Sequence, residues 1–143
     1  MANFEVPYPD TAKIFEGAIA KVNLDRVINI ELLADVKSKE VYKIVKSNEI
    51  TKHATKNDVY IVINDAIFDG LEEWQQLIIA EEAITGIIFN DEKDKVEIKK
   101  GDVGITKVGA FSGILSKYGA ERYEAIQESV KTLYNVEQEE AVV

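Results

Sequence analysis

The stretch LEEWQQLIIAEEAITGIIF, residues 71–89, constrains this chain more than any other. At roughly 100° per residue, Leu71, Trp74, Leu77, Ile78, Ile84, Ile88 and Phe89 share one broad helical face. Glu72, Glu73, Gln75 and Gln76 lie mostly elsewhere in the first half, and the second half is apolar nearly all round. A helix of this kind belongs at the centre of a fold, buried in its second half. One residue breaks the pattern. Glu81 falls in the middle of the apolar stripe, with Leu77, Ile78, Ile84 and Thr85 as helical neighbours, and Glu82 sits beside it near Ile78 and Ile79. A carboxylate buried without a partner is expensive. Glu81 must therefore be paired with a Lys, a Tyr or a backbone group, or be protonated, wet or facing a cleft. A cleft carboxylate would carry a raised pKa.

Around this helix the chain reads as α+β. Pro7 and Pro9 mark residues 1–9 as an extended arm. Asp10 or Thr11 can cap a first helix over about residues 11–23, whose Ile14, Phe15, Ala18, Ile19 and Val22 recur at helical spacing and are expected to pack on a sheet. RVINIELLAD at 26–35 reads as a half-buried strand and VYKIVK at 41–46 as a weaker one. DVYIVIN at 58–64 is the clearest strand, rich in β-branched residues and closed by the turn pair Asn64-Asp65. KVEIKKGD at 95–102 reads as a short strand or hairpin arm. Residues 108–118 read as a helix broken at Gly119, and 120–135 as a last helix striped with Tyr123, Ile126, Val130, Leu133 and Tyr134. Beyond Glu137 the tail is expected to fray, so that residues 136–143 add little. The expected architecture is one domain over 1–143. It has a small mixed or antiparallel sheet packed with a long central helix, an N-terminal helix and C-terminal helices.

Composition narrows the chemistry. With no cysteine there is no disulfide framework, thiol nucleophile or zinc knuckle. No apolar run approaches the roughly 18–20 residues of a membrane span, and the N-terminus lacks the pattern of a secretory signal. The formal charge of −9 disfavours direct nucleic-acid binding. It leaves a DNA mimic or acidic inhibitor open if the carboxylates gather on one face. The glycines at 101, 104, 109 and 113 lack the spacing of a phosphate loop. His53, the only histidine, lies in the polar stretch TKHATKND, expected to be a surface loop.

Residues 57–119 resemble a known family, the phage metallopeptidases, small zincin-like proteins encoded in bacteriophage genomes. In that family a strand ending in Asn leads through a short aromatic-containing bridge to a helix bearing H-E-x-x-H. A further histidine precedes a helix that ends in Gly. Here the matching pieces are DVYIVIN at 58–64, EEWQQLIIAEEAITGI at 72–87 and VGITKVGAFSGILSKYG at 103–119. The first helix and strand fall in the same order.

The resemblance implies a zincin-like layout and a phage origin, but its chemistry does not carry over. H-E-x-x-H places two histidines one helical turn apart on zinc, with the glutamate between as general base. The positions here are Glu81, Glu82, Ala83, Ile84 and Thr85, and Thr106 stands at the place of the third histidine. Only Glu82, at the place of the base, keeps its type. Threonine hydroxyls are poor zinc ligands, so neither a metal nor another cofactor is expected, and no zinc peptidase activity. A hard-cation site of Glu81, Glu82 and Asp102 is the metal alternative. The expectation is a non-catalytic protein acting by binding a protein partner, as a virion or assembly component or a host-factor binder, in the host cytoplasm or the virion. An enzyme with a rebuilt carboxylate site, a hydrolase, is the alternative, and would need a pocket lined by Glu81, Glu82 and Thr106. Trp74 is expected in the core, or as an interface anchor. Phe4, Val6 and Tyr8 alternate along the arm, which either docks on its own domain or adds to a neighbour's sheet edge as part of a homo-oligomer.

Overall fold

The structure, a computed structural model, describes residues 4–90, 92, 95–98, 103–105, 108–110 and 117–142. It is a mixture of helices and small sheets, an α+β protein. Three strands, β1 (Ile30–Ala34), β2 (Tyr42–Lys46) and β3 (Val59–Ile63), form the main sheet in the order β1-β3-β2. β3 is central, parallel to β1 and antiparallel to β2. It is buried along nearly its whole length, which is why its sequence is almost continuously β-branched. The first strand is shorter than its alternation suggested, because Leu24–Arg26 forms a 3₁₀ turn.

Helix α1 (Pro9–Lys21) starts at Pro9, where a missing N–H costs nothing. Its Phe15 and Ile19 are buried, while Val22 is exposed. Its principal neighbour is the central helix α4 (Glu73–Thr85) rather than the sheet. The Phe15 ring lies 5.1 Å from that of Phe68, tilted by 44°. Phe68 belongs to a short helix, α3 (Asp65–Asp69), which stands where the sequence suggested only a bridge. Another short helix, α2 (Glu49–Thr55), is capped by the Asn48 side chain accepting from Thr51 N–H at 2.7 Å. His53 is on the surface as expected, but on this helix rather than in a loop.

The central helix is shorter than the apolar run. It ends at Thr85, and Ile87–Asn90 forms strand β4, paired antiparallel with β5 (Lys95–Ile98). Ile87, Ile88 and Phe89 are β-prone, and Gly86 releases them from the helix. Residues 103–105 (β6) and 108–110 (β7) pair antiparallel, so the helix expected from residue 108 does not begin there. Residues 111–116, Asp102 and Thr106 lie outside the described residues. Gly119, at φ +91°, breaks the chain where expected. The last helix, α5 (Ala120–Val142), continues past residue 135 through the tail segment to Val142. Its Ile126, Val130 and Tyr134 join the core, with Leu133 packed against it. Leu133 also explains Gly70, since its Cδ2 would lie 2.8 Å from any Cβ there.

The N-terminal arm docks on its own domain. Glu5 N–H donates to Ala34 O at 2.9 Å and Ala34 N–H to Glu5 O at 2.8 Å, an antiparallel bridge on β1. Tyr8 N–H donates to the buried Asp65 carboxylate at 3.1 Å. Burial raises the Asp65 pKa, and the Tyr8 N–H offsets part of that effect. Pro7 is buried, whereas Phe4, Val6 and Tyr8 remain exposed. Among the described residues no helix is long and apolar enough to cross a membrane.

Candidate functional site

Helix α4 sets the site by the way it is turned. Its buried residues are Gln75, Ile78, Ile79, Ala80, Glu82, Ala83 and Ile84. Gln75 is buried because its amide is used at both ends. Its Oε1 accepts the Glu72 N–H at 3.0 Å at the helix start, and its Nε2 donates to Ser129 Oγ of α5 at 3.0 Å. Turning Gln75 inward turns its neighbours out. Trp74 is 37% exposed, a correction to its expected core position, and its indole N–H donates to the Glu72 carboxylate. Leu77 is 51% exposed.

The same rotation separates the two glutamates, and it reverses the expected anomaly. Glu82, not Glu81, is the carboxyl in the core. It is 0% exposed, and neither oxygen has a hydrogen bond of ordinary geometry. Burial pushes its pKa up to about 8, with the nearby Tyr42 hydroxyl offsetting a part. Glu82 is thus a neutral acid at pH 7. Glu81 is partly exposed and doubly held. Lys117 Nζ lies 2.6 Å from its Oε1, and the Tyr118 hydroxyl donates to its Oε2. Burial acts to raise the Glu81 pKa, but the hydrogen bonds from Lys117 and Tyr118 outweigh it, and the value lies below the ordinary one. Its contribution to stability is present above the usual carboxylate pKa and fades as pH falls through the lowered value. Glu81 in turn raises the pKa of Lys117 and of Tyr118.

Glu81 also stands at the wall of a groove of about 910 Å³ between α1 and α4. Ile14, Ala18, Leu77, Ala80 and Ile84 give the groove its apolar lining, and Lys13, Lys21 and Lys117 its charge. Glu81 is both paired and at the edge of a cleft, but the raised pKa expected of a cleft carboxylate is overturned, because the hydrogen bonds from Lys117 and Tyr118 lower it. Thr85 lines the groove too, with its hydroxyl donating to Glu81 O at 2.8 Å. Glu82 does not reach the groove. The two glutamates therefore do not meet at one site, as the rebuilt-enzyme alternative required. Among the described residues no three His, Asp or Glu side chains are grouped to hold a metal.

Lys117 and Tyr118 were not singled out in the sequence. Only the fold brings them to Glu81, across thirty-six and thirty-seven positions of sequence. Gly17 also lines the groove, and a Cβ added there meets nothing within 4 Å. Gly17→Ala should therefore stabilise the protein by about 0.5–1 kcal/mol through helix propensity and a less free unfolded chain. Urea denaturation checks this, and a loss of stability would mean that α1 is strained there.

No family model, curated protein or solved structure matches the chain.

Proposed function

We propose that this chain is a non-catalytic, zincin-like phage protein that works by binding a protein partner through the groove between α1 and α4. It would serve as a virion or assembly component or as a binder of a host factor, in the virion or the host cytoplasm. The phage origin rests on the resemblance of residues 57–119. The observation that carries the binding reading is the place of Glu82. At the general base's position in the resembled helix, it is sealed in the core and neutral, while the groove beside it is largely apolar. A carboxyl that cannot reach the groove cannot activate a water there. Glu81 does reach it, but as the anchor of Lys117 and Tyr118.

Two measurements test this reading. A photoreactive residue placed at the exposed Leu77 should cross-link a discrete partner in phage-infected cells, and the product should vanish when Gly17→Phe fills the groove. Cross-linking indifferent to Gly17→Phe would count against the groove. Titration with zinc or magnesium should leave the thermal midpoint unchanged, since a ligand bound to the folded state would raise it. A rise of several degrees that is lost in Glu81→Gln would favour the enzyme alternative.

A further inference from the structure

The groove's charge runs against that of the chain. The protein has 26 acidic and 17 basic side chains, yet among the described residues the charged ones lining the groove are Lys13, Lys21 and Lys117 against Glu81. Glu81 is held by Lys117 and Tyr118, so the wall it forms offers little negative charge. Lys13 and Lys21 are exposed along one side of α1, with Gly17 between them. Eight residues of helix separate them by roughly 12 Å. Gly17 and Ala18 on one wall and Ala80 on the other keep the floor open to a large aliphatic side chain.

We propose that the groove receives an amphipathic helix of a partner protein, with aliphatic residues at i, i+3, i+4 and i+7 in the groove and acidic residues on its flanks. This rests on the groove being the binding surface. Its shape and charge favour a helix over a single-headed amphiphile such as a fatty acid. The groove follows two helices and is partly open to solvent, and Lys13 and Lys21 stand about two turns apart along α1 instead of together at one end. A fatty acid fits best in a closed pocket with one cation at its end.

The test uses two fluorescent helical peptides with the same leucine face, one flanked by glutamates and one by lysines, and fluorescence anisotropy with the full chain. The acidic peptide should bind at least about tenfold more tightly at low salt, with the margin shrinking as salt is added. Gly17→Phe should weaken its binding by about tenfold or more, and Lys13→Glu with Lys21→Glu should reverse the preference between peptides. Equal affinity for the two peptides, binding unmoved by Gly17→Phe, or oleate binding more tightly than the acidic peptide would overturn the proposal. If neither peptide binds while the groove-dependent cross-link from residue 77 persists, the acidic helix is wrong and the groove reading survives. If both fail, both fall.

Discussion

Replacing Glu82 with methionine should raise the unfolding free energy at pH 7 by about 3 kcal/mol. The folded pKa of about 8 lies above the ordinary 4.5. The unfolded chain therefore releases the proton from about pH 4.5 upward, whereas the folded protein keeps it until about pH 8. Glu82's contribution is fully present below 4.5 and is lost progressively across that window. At pH 7 the loss corresponds to 2.5 pH units at 1.36 kcal/mol each, about 3 kcal/mol. Methionine has a similar length, does not titrate and brings no polar atom of its own into the core. The gain should widen toward pH 8 and shrink toward pH 5. Glu82→Gln should flatten the same pH slope but stabilise less, because its amide donors would also be buried. Urea denaturation of the three proteins from pH 5 to pH 8 measures both effects. Parallel pH profiles for wild type and Glu82→Gln would mean that Glu82 is ionised in the folded state.

Asn64→Ala should have an effect of similar size and opposite sign, a loss of about 2–4 kcal/mol. Asn64 is 0% exposed. Its amide donates to Ser38 O at 2.9 Å, to Val36 O at 3.3 Å and to the Tyr134 hydroxyl at 3.4 Å. Its Oδ1 accepts from Ile67 N–H at 3.3 Å and so caps α3. One side chain thereby ties the end of β3 to the β1–β2 loop, to α3 and to α5. Alanine removes the cap from the buried Ile67 N–H and the donor that holds Ser38 O and Val36 O. Asn64→Asp separates the two roles. Aspartate is as good a cap as asparagine, but its oxygens would face carbonyls and it would bring a charge into the core. It should cost at least as much as alanine at pH 7. Stability close to wild type for Asn64→Asp would mean that capping, not donation to Ser38 and Val36, is what Asn64 supplies.

The elements most legible in the sequence were those whose pattern is set by one buried face. β3 declared itself through Val59, Ile61 and Ile63, and α5 through Ile126, Val130 and Tyr134. Helix α2 was missed because it buries nothing, so no apolar period marks it; the Asn48 cap was its only signal. The rotation of α4 departs from the sequence pattern for a definite reason. Counting Ile88 and Phe89 as helix placed the apolar stripe over Leu71, Trp74, Ile78, Glu81 and Ile88. Those two residues belong to β4, and Leu71 precedes α4. Without them the stripe turns by one residue, about 100°, onto Gln75, Ile78, Ile79 and Glu82. A glutamine and a glutamate on the buried face were invisible to a reading that seeks apolar residues. The Gln75 contact with Ser129 that fixes the rotation spans 54 positions of sequence. The same long-range folding supplies Lys117 and Tyr118 to Glu81, which local pattern cannot show.

The functional reading depends on that rotation, because it puts one glutamate at the groove and its neighbour in the core. Carboxyl-carbon NMR of protein labelled at glutamate, followed from pH 3 to pH 9, tests it most directly. Glu81 should titrate below 4.5 and Glu82 near 8, with Glu81→Gln and Glu82→Gln assigning the two signals. If Glu82 titrates in the ordinary carboxylate range, it reaches solvent or a charged partner, and the division between core and groove is wrong.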